Sequence, residues 1–373
     1  VTKRFTFTRG SYLVKVEHRI DNPTEAVWSG REYRQLMRGL PGEKPAGSKF
    51  LYTYTGGAIY TPEEKYEKIS FEKMEEKPLS IEAKGGWFGM LQHYFIGAWI
   101  PPADETDHFY TNVLPGQRYV LGAYTPSISV APGGSHTFTT GFVAGPKLQD
   151  KLEAITPGLE LTVDYGWLTV VAKPIFWLLK AIHKLLGNWG WSIIVLTLII
   201  KLLFFKLSET SYKSMANMRK MTPRIQALKD RYGDDKQRLN QAMMEMYKKE
   251  KINPLGGCLP IVVQIPVFIA LYWVLLESVE LRQAPWIFWI RDLSIKDQYY
   301  VLPLIMGISM FIQQKLNPAP PDPMQAKIMM ALPFVFTVFF AFFPSGLVLY
   351  WVTNNILSIS QQWVITRQIE KAT

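Results

Sequence analysis

The chain has 373 residues with 48% apolar and 14% aromatic side chains, which is enough for two domains and excludes a disordered protein. Its formal net charge of +10 is unevenly distributed, because residues 1–166 hold 18 Lys and Arg against 19 Asp and Glu, whereas the rest holds 23 against 12. The excess cations share their part of the chain with long apolar runs, so they indicate membrane topology, and no nucleic-acid partner is expected.

Residues 1–166 are predicted to form an all-β sandwich of antiparallel strands. Alternating segments such as 65–73 are typical of half-buried strands. Turn signals separate these segments: Asp21-Asn-Pro, Leu40-Pro-Gly, Thr55-Gly-Gly, Leu114-Pro-Gly and Pro132-Gly-Gly. A short helix at 146–154 and a last strand at 159–164 are expected to close the domain. Strand-like sequence follows Val1 directly, without a signal peptide, so we expect a domain that is incomplete at its N-terminus.

Residues 167–187 are predicted to form an amphipathic helix that lies in the membrane interface. Its apolar positions are Ile175, Phe176, Leu178, Leu179, Ile182 and Leu185, and its basic positions are Lys173, Lys180 and Lys184. Trp167, Trp177 and Trp189 favour this interpretation, because indole rings prefer the headgroup layer. The alternative is a core helix of the sandwich.

The remaining residues, 188–373, contain five apolar segments that are predicted to cross a bilayer as helices. These segments are residues 189–207, 257–276, 299–316, 328–343 and 346–365. Each is close to the ~17–25 residues that a hydrocarbon core demands. The last two are separated only by Phe343-Pro-Ser-Gly, which predicts a helix break and a tight hairpin.

The loops predict the orientation of these helices in the cell inner membrane. Loop 208–255 is rich in Lys and Arg, whereas loop 277–298 holds Arg282, Arg291 and Lys296 against four acidic residues. Because short basic loops stay in the cytoplasm, the first of these loops is predicted to be cytoplasmic. The β domain then lies outside the cytoplasm, and the C-terminus is cytoplasmic.

Residues 208–252 are predicted to form a cytoplasmic helical hairpin. Its first helix carries Met215, Met218, Met221, Ile225 and Leu228, and its second carries Leu239, Met243, Met246 and Tyr247. Tyr232-Gly-Asp-Asp separates them, with Gly233 as C-terminal cap and Asp234 or Asp235 as N-cap. The methionines either form the seam between the two helices or adapt to varied apolar partners.

Lys201 is the most informative residue of the sequence. It follows Trp191 by about ten residues, which places it ~15 Å into the bilayer. A cation there costs ~2.5–3.5 kcal/mol, so it normally faces a bundle interior or a water-filled cavity. Thr197, one turn earlier, gives the same face a second polar group. The alternative is a lysine that reaches the cytoplasmic interface beside Lys206.

Other predicted spans carry polar side chains that would complete a hydrophilic groove around Lys201. These side chains are Gln264, Ser309, Gln313, Asn354, Ser358 and Gln361. The alternative for each is an interhelical hydrogen bond. No acidic residue lies deep in a predicted span, so the groove suits acidic extramembrane segments of a client protein better than a proton relay.

No catalytic, cofactor or metal site is predicted, and the protein is not expected to be an enzyme. Cys258 is the only cysteine, and the five histidines are scattered along the chain. The pairs Glu63-Glu64 and Glu75-Glu76 offer carboxylates of the kind that a sugar enzyme uses. Adjacent acids on a strand point to opposite faces, however, so we interpret both pairs as solvated surface.

A series of motifs in the second half of the chain resembles a known family. The motifs are Tyr232-Gly-Asp-Asp-Lys-Gln, Asn253-Pro-Leu-Gly-Gly-Cys-Leu-Pro, Gln264-Ile-Pro-Val-Phe, Val279-Glu-Leu-Arg-Gln-Ala-Pro, Asp322-Pro-Met-Gln and Phe343-Pro-Ser-Gly-Leu-Val-Leu-Tyr. Together they resemble the YidC/Oxa/Alb family of membrane insertases, in particular its bacterial members of the Gram-negative type, over about residues 165–371. The resemblance implies that the preceding domain is a periplasmic β-supersandwich and that a further transmembrane helix lies upstream.

The resemblance implies an insertase and chaperone with a positively charged groove that is open to cytoplasm and lipid and closed toward the periplasm. Lys201 matches the position where the family usually has arginine, and lysine lacks the planar fork that binds carboxylates in a bidentate manner. A client-contacting slide on the third and fifth family helices maps onto Ile265, Phe268, Phe339, Tyr350 and Trp351. Family members commonly have tyrosine where this chain has Trp351.

The resemblance also implies the partners of the protein. They are nascent membrane proteins with acidic extramembrane segments, the Sec translocon, targeting factors that contact the hairpin, the ribosome and the lipid bilayer. The alternative function is a secondary transporter with a polar site at mid-membrane. A transporter would show inverted repeats and acidic coupling residues, and we find neither in the sequence.

Overall fold

The computed structural model describes residues 1–40, 53–233, 235–249, 259–317 and 323–371. The chain divides into two compact units, Val1–Asp164 with Glu277–Val279 and Tyr165–Leu276 with Glu280–Thr373. Parts of several predicted features lie outside the described residues, namely the turn at Leu40-Pro-Gly, the hairpin end at 250–252, the N-cap candidate Asp234 and the motifs around Cys258 and Asp322.

The first unit is built from antiparallel strands. They are β1 (Thr2–Phe7), β2 (Leu13–Asp21), β3 (Trp28–Gly30), β4 (Tyr33–Gly39), β5 (Gly56–Thr61), β6 (Lys65–Ile69), β7 (Ser80–Lys84), β8 (Trp87–Leu91), β9 (Phe95–Ile100), β10 (Thr106–Leu114), β11 (Arg118–Tyr124), β12 (Ile128–Val130) and β13 (Ser135–Pro146). The sheet orders are β1-β2-β13-β9-β8-β5-β6, β4-β11-β10-β7 and β12-β3. Each of these pairings is antiparallel, so the prediction of an all-β domain is confirmed.

The two larger sheets pack face to face across an apolar core. Phe88 of β8 and Phe109 of β10 meet edge to face, with ring centroids 6.0 Å apart. Ile59 and Leu121 are buried in the same cluster. Along β10, Asp107, Phe109 and Thr111 are buried and the residues between them are less so, which is the alternation that a sheet with one inward face requires.

The predicted last strand at 159–164 is wrong. Leu159–Thr162 is a 3-10 helix that starts after Gly158, whose φ of 81° lies in the left-handed region. Leu159 and Thr162 are both buried, and their spacing fits a helix with three residues per turn. Leu159 packs with Leu152 of α2 (Gln149–Glu153), in a cluster that also contains Ala98 and Trp87 of the larger sheet. The apolar residues Leu159, Leu161 and Val163 alternate as in a strand, so the sequence pattern does not reveal this helical turn.

The prediction of one strand over 65–73 is wrong in its second half. β6 ends at Ile69, and a separate helix, α1 (Phe71–Glu76), follows it. Ser70 starts α1, because its hydroxyl accepts a hydrogen bond from the amide of Lys73. Glu75-Glu76 accordingly lie on a helix and not on a strand. The Tyr119 hydroxyl donates to Glu75 at 2.5 Å, and this hydrogen bond raises the pKa of Tyr119 to about 12.

The second unit is mainly helical in its described residues. The helices are α3 (Thr169–Leu186), α4 (Trp189–Leu203), α5 (Phe205–Lys220), α6 (Thr222–Tyr232), α7 (Lys236–Lys249), α8 (Leu259–Glu277), α9 (Val301–Leu316), α10 (Pro323–Phe340) and α11 (Ser345–Lys371). The break between α10 and α11 lies at the predicted Phe343-Pro-Ser-Gly position.

The helix bounds depart from the predicted spans at the start of α10, which lies five residues before 328, and in two further places. Segment 189–207 is interrupted at Phe204, where α4 ends and a bend of 65° leads into α5. α11 continues to Lys371 and so extends beyond the predicted span 346–365. The last part of α11 is polar, so an apolar window in the sequence could not mark its end.

No described helix has by itself the combination of length and hydropathy that crossing a bilayer requires. The pair Trp189–Leu203 and Phe205–Ser214 meets the requirement when its two bent halves are taken together. Shorter apolar helical stretches are Val262–Glu277, Val301–Leu316 and Ala326–Phe340.

One loop, residues 282–298, makes hydrogen bonds to the first turns of three helices. The Asn188 side chain, which caps α4, donates to the carbonyls of Pro285 and Trp286 at 3.2 Å. Asp297 accepts the amide of Leu302 in α9 at 2.8 Å. The amide of the first residue of α11 donates to the carbonyl of residue 295 at 2.7 Å. The loop therefore satisfies backbone and capping groups that helix ends otherwise leave unpaired.

Candidate functional site

The second unit contains a cavity of about 300 Å³ whose wall is formed by α4, α5, α8, α9 and α11. Its polar lining residues are Lys201, Ser208, Ser211, Tyr212, Gln264, Gln313, Asn317, Asn354 and Ser358. Its apolar lining residues are Ile200, Phe204, Ile265, Val267, Phe268, Tyr350 and Trp351. None of these described lining residues is an Asp or a Glu, so the wall carries a positive charge.

Lys201 provides that charge. Its Nζ donates a hydrogen bond to Oγ of Ser358 at 2.7 Å. The lysine lies in the last turn of α4, where the helix dipole favours a cation. Within the described parts of the chain we find no ion pair of Lys201 with a carboxylate, so a hydroxyl group holds the ammonium.

Five of the predicted groove residues share this cavity: Lys201, Gln264, Gln313, Asn354 and Ser358. They come from α4, α8, α9 and α11, so four helices bring them together. The amide of Gln264 also donates to Oγ of Ser208 at 3.3 Å, which joins α8 to α5.

Three other predicted groove residues lie outside the cavity wall. Thr197 is 1% exposed, and its hydroxyl donates to a carbonyl of its own helix. Ser309 accepts a hydrogen bond from Asn355 at 3.1 Å, which joins α9 to α11. Gln361 donates to the carbonyl of Phe205 at 3.3 Å, at the bend between α4 and α5. The contacts of Ser309 and Gln361 are interhelical hydrogen bonds, which is the alternative that the sequence left open, whereas that of Thr197 stays within its own helix.

Four of the five predicted client-slide residues line the cavity. Ile265, Phe268, Tyr350 and Trp351 line it. Phe268 meets Trp351 edge to face at 4.6 Å and stacks with Tyr350 at 5.8 Å between ring centroids. Phe339 does not line the cavity and packs instead in an aromatic cluster near the end of α10. The cavity wall therefore combines a cation and hydroxyl groups with a cluster of aromatic rings.

Sequence reasoning missed the contribution of α5 and the end of α9. Ser208, Ser211 and Tyr212 of α5 line the cavity, and so does Asn317. Ser208 and Tyr212 follow Lys201 by seven and eleven residues, a spacing that would place them on its face in an unbroken helix. The sequence predicts a cytoplasmic loop there, however, and the helix is interrupted at Phe204.

The predicted hairpin residues are only partly described. The side chains of Met215 and Met218 lie outside the described part of the chain, whereas Met221 is 7% exposed and Met243 and Met246 are half-buried. α6 packs against α7. Gly233 ends α6, and the Asp235 carboxylate accepts the amide of Arg238 at 3.0 Å as the N-cap of α7.

The first unit buries an ionic cluster around Arg34, whose side chain is 1% exposed. Its guanidinium donates to Asp107 at 2.6 Å, to Glu32 at 2.5 Å and to Glu105 at 2.8 Å. His18 forms a further hydrogen bond with Glu32. Burial raises the pKa of Asp107 to about 7, with the two glutamates adding to the rise and Arg34 opposing it. Among the described residues, no group of His, Cys, Asp and Glu is arranged to hold a metal ion.

Two family models match this chain. The model described as "60Kd inner membrane protein" matches residues 181–372. The model described as "YidC periplasmic domain" matches residues 1–178.

Relatives named "Membrane protein insertase YidC" match along the full chain. The relative from Methylococcus capsulatus is 61% identical, that from Thioalkalivibrio sulfidiphilus 60% and that from Nitrosococcus oceani 56%, each over 100% of this chain. The chain covers 68%, 67% and 68% of the lengths of these three relatives. A solved structure titled "Active YidC insertase crystal structure with the first transmembrane domain resolved" has 19% identity and a TM-score of 0.46, with 82% of each chain covered. The chain thus spans about two thirds of the length of these relatives.

Proposed function

Since this chain belongs to the YidC family of membrane protein insertases, we propose that it inserts and folds other inner-membrane proteins through the cavity around Lys201. The resemblance inferred from the sequence motifs is confirmed by these relatives. The observation that carries the mechanism is the Lys201 ammonium, which is held by a hydroxyl in a cavity without a described carboxylate in its wall.

A buried ammonium without a counter-ion attracts an acidic segment more strongly than the same charge in water, because the surrounding dielectric is low. The hydroxyl and amide groups beside Lys201 offer hydrogen bonds to the polar tail of a client while it crosses the apolar layer. The aromatic rings of Phe268 and Trp351 in the cavity wall offer an apolar surface to the client helix. The membrane potential favours the outward movement of an acidic tail. The reaction requires no covalent step.

The proposed topology has five crossings, with α4, α8, α9, α10 and α11 in the bilayer and a groove that opens to cytoplasm and lipid. The β domain (1–166) is periplasmic, the hairpin (208–252) and the C-terminus are cytoplasmic, and residues 167–187 lie in the interface. Trp167 precedes α3 and Trp177 lies on it, and the two residues are 79% and 70% exposed. These exposed rings support the interfacial assignment. The loop charges support the orientation.

Substitution of Lys201 tests the proposal. We expect Lys201→Ala to lower the insertion of single-span clients with acidic tails by about tenfold, since hydrogen bonds to a charged group are worth ~1.5–3 kcal/mol. Lys201→Arg keeps the charge and is expected to insert these clients as the wild type does. The measurement is protease protection of a radiolabelled client in proteoliposomes.

Lys206→Ala is the matched control. Lys206 lies close along the chain, but its side chain is 91% exposed and pairs with Glu209 at 3.3 Å. Removal of this charge should leave insertion unchanged. Equal insertion by Lys201→Ala and the wild type would remove the cavity charge from the mechanism.

A solute transporter is the competing function. It predicts that proteoliposomes accumulate a small solute in a manner that depends on Lys201, whereas the insertase predicts no such uptake. Partners beyond the client, namely the Sec translocon, targeting factors and the ribosome, are proposed through the family and are tested by cross-linking from the 208–252 hairpin.

A further inference from the structure

We propose that Ser358 is a positioning residue, whose hydroxyl keeps the Lys201 ammonium inside the cavity. The inference rests on the proposed function of that cavity and assigns a task to a side chain on the opposite helix. Ser358 is 3% exposed and lies on α11, whereas Lys201 lies on α4. Their 2.7 Å hydrogen bond crosses the space between the two helices.

The Ser358 hydroxyl is itself fixed. Its proton is donated to the carbonyl of Asn354, one turn earlier in α11, at 2.7 Å. A hydroxyl has one proton and two lone pairs, so with the proton engaged in the helix the oxygen acts as acceptor toward Lys201. The acceptor therefore has a defined position before any client arrives.

α11 holds the Lys201 segment at a second point. Gln361 lies three residues after Ser358, on the same face of α11, and donates to the carbonyl of Phe205 at the bend. One face of α11 thus contacts both the side chain of Lys201 and the backbone just beyond it.

Lys206 is a lysine of the same region whose partner lies outside the cavity wall. Its nitrogen pairs with Glu209 at 3.3 Å, and its side chain is 91% exposed. A lysine stem is long enough to carry its nitrogen toward water when nothing holds it. Without the Ser358 hydroxyl, the Lys201 nitrogen is free to leave the cavity wall in the same way.

The test measures the reactivity of Lys201 in the full chain in lipid nanodiscs. A water-soluble amine-reactive ester is added, and mass spectrometry gives the labelling rate of Lys201 relative to Lys206 in the same molecule. For Ser358→Ala we expect this ratio to rise about tenfold, the factor that corresponds to loss of one hydrogen bond to a charged group. Ser358→Thr keeps the hydroxyl and should restore the wild-type ratio.

Ser360→Ala is the matched control, because the Ser360 hydroxyl donates to a carbonyl of its own helix on an exposed side of α11. A wild-type ratio in Ser358→Ala, or an equal rise in Ser360→Ala, would overturn the proposal. If Ser358→Ala does not fold, Ser358→Cys takes its place, since a thiol fills the site but is a weak acceptor, and an unchanged ratio again overturns it.

Insertion assays of the same variants separate the two proposals. Positioning together with the proposed function predicts that Ser358→Ala inserts acidic-tailed clients poorly and that Ser358→Thr inserts them well. If Lys201→Ala inserts normally while Ser358→Ala still raises the labelling ratio, the insertase mechanism fails and the positioning role stands.

Discussion

At the scale of single residues, the ionic cluster of the first unit predicts a pH-dependent stability. Burial raises the pKa of Asp107 from 3.8 to about 7, so the folded protein binds this proton more tightly than the unfolded chain does. The stabilisation from the protonated carboxyl is complete below about pH 4 and is lost as the pH rises through 7. The amide of Asp107→Asn has the shape of a neutral carboxyl. We therefore expect the first unit of this variant to lose less stability than that of the wild type between about pH 4 and 7.

Thermal unfolding of the first unit, followed by circular dichroism at several pH values, measures this difference. Asp104→Asn is the control, because Asp104 is an exposed acid near the start of the same strand. The same pH profile for Asp107→Asn and the wild type would show that Asp107 is ionised throughout.

Residue by residue, the sequence predicted the cation of the cavity better than its other polar groups. Lys201 was identifiable because a charge deep in an apolar run is costly in a bilayer and normally faces a bundle interior or a water-filled cavity. Thr197 was placed in the groove on helical spacing, yet its hydroxyl bonds within its own helix. A serine or threonine can always satisfy itself in this way, so its polarity alone does not show whether it faces a cavity.

At the scale of elements, α9 and α10 approach closely at Gly307. A Cβ atom at this position would overlap the hydroxyl of Thr337, which already donates to the carbonyl of Pro333 at 2.7 Å. Small residues at helix contacts allow such an approach. We therefore expect Gly307→Ala to destabilise the second unit by about 1–3 kcal/mol, as overpacking usually does.

The stability of Gly307→Ala is measured by thermal unfolding in detergent micelles. Ile308→Ala is the comparison, since Ile308 is the next residue of α9 and is 62% exposed. A loss of stability in Ile308→Ala as large as in Gly307→Ala would contradict the close approach as the cause.

Among the elements, long apolar helices were predictable and local irregularities were not. Helices overlapped every apolar segment, because length and composition determine them. The bend after Leu203 was not visible, since the apolar pattern continues through Phe204 and Phe205. The 3-10 helix at Leu159–Thr162 was not predictable, because Leu159, Leu161 and Val163 alternate as the residues of a strand do.

At the scale of the whole molecule, each of the two units has its own apolar core. Phe109→Ala removes a fully buried ring from the first unit and is expected to lower its stability by ~3–5 kcal/mol. The cavity lies in the second unit. We therefore expect the Phe109→Ala variant to keep Lys201-dependent insertion at the temperatures at which its first unit is still folded. Insertion assays beside unfolding curves check this expectation.

The control is Val27→Ala, which changes an exposed side chain of the same unit. Loss of insertion in Phe109→Ala while its first unit remains folded would show that the two cores are coupled. The division itself was visible in the sequence, because a nearly neutral part is followed by a basic and apolar one.

The loop at 282–298 has a practical consequence for anyone who modifies this protein. Because it binds the beginnings of α4, α9 and α11 at once, lengthening it by even one residue would disturb three helices together. Epitope tags, fluorophores or fusion partners are therefore better attached after Lys371, where α11 ends, than inserted between α8 and α9.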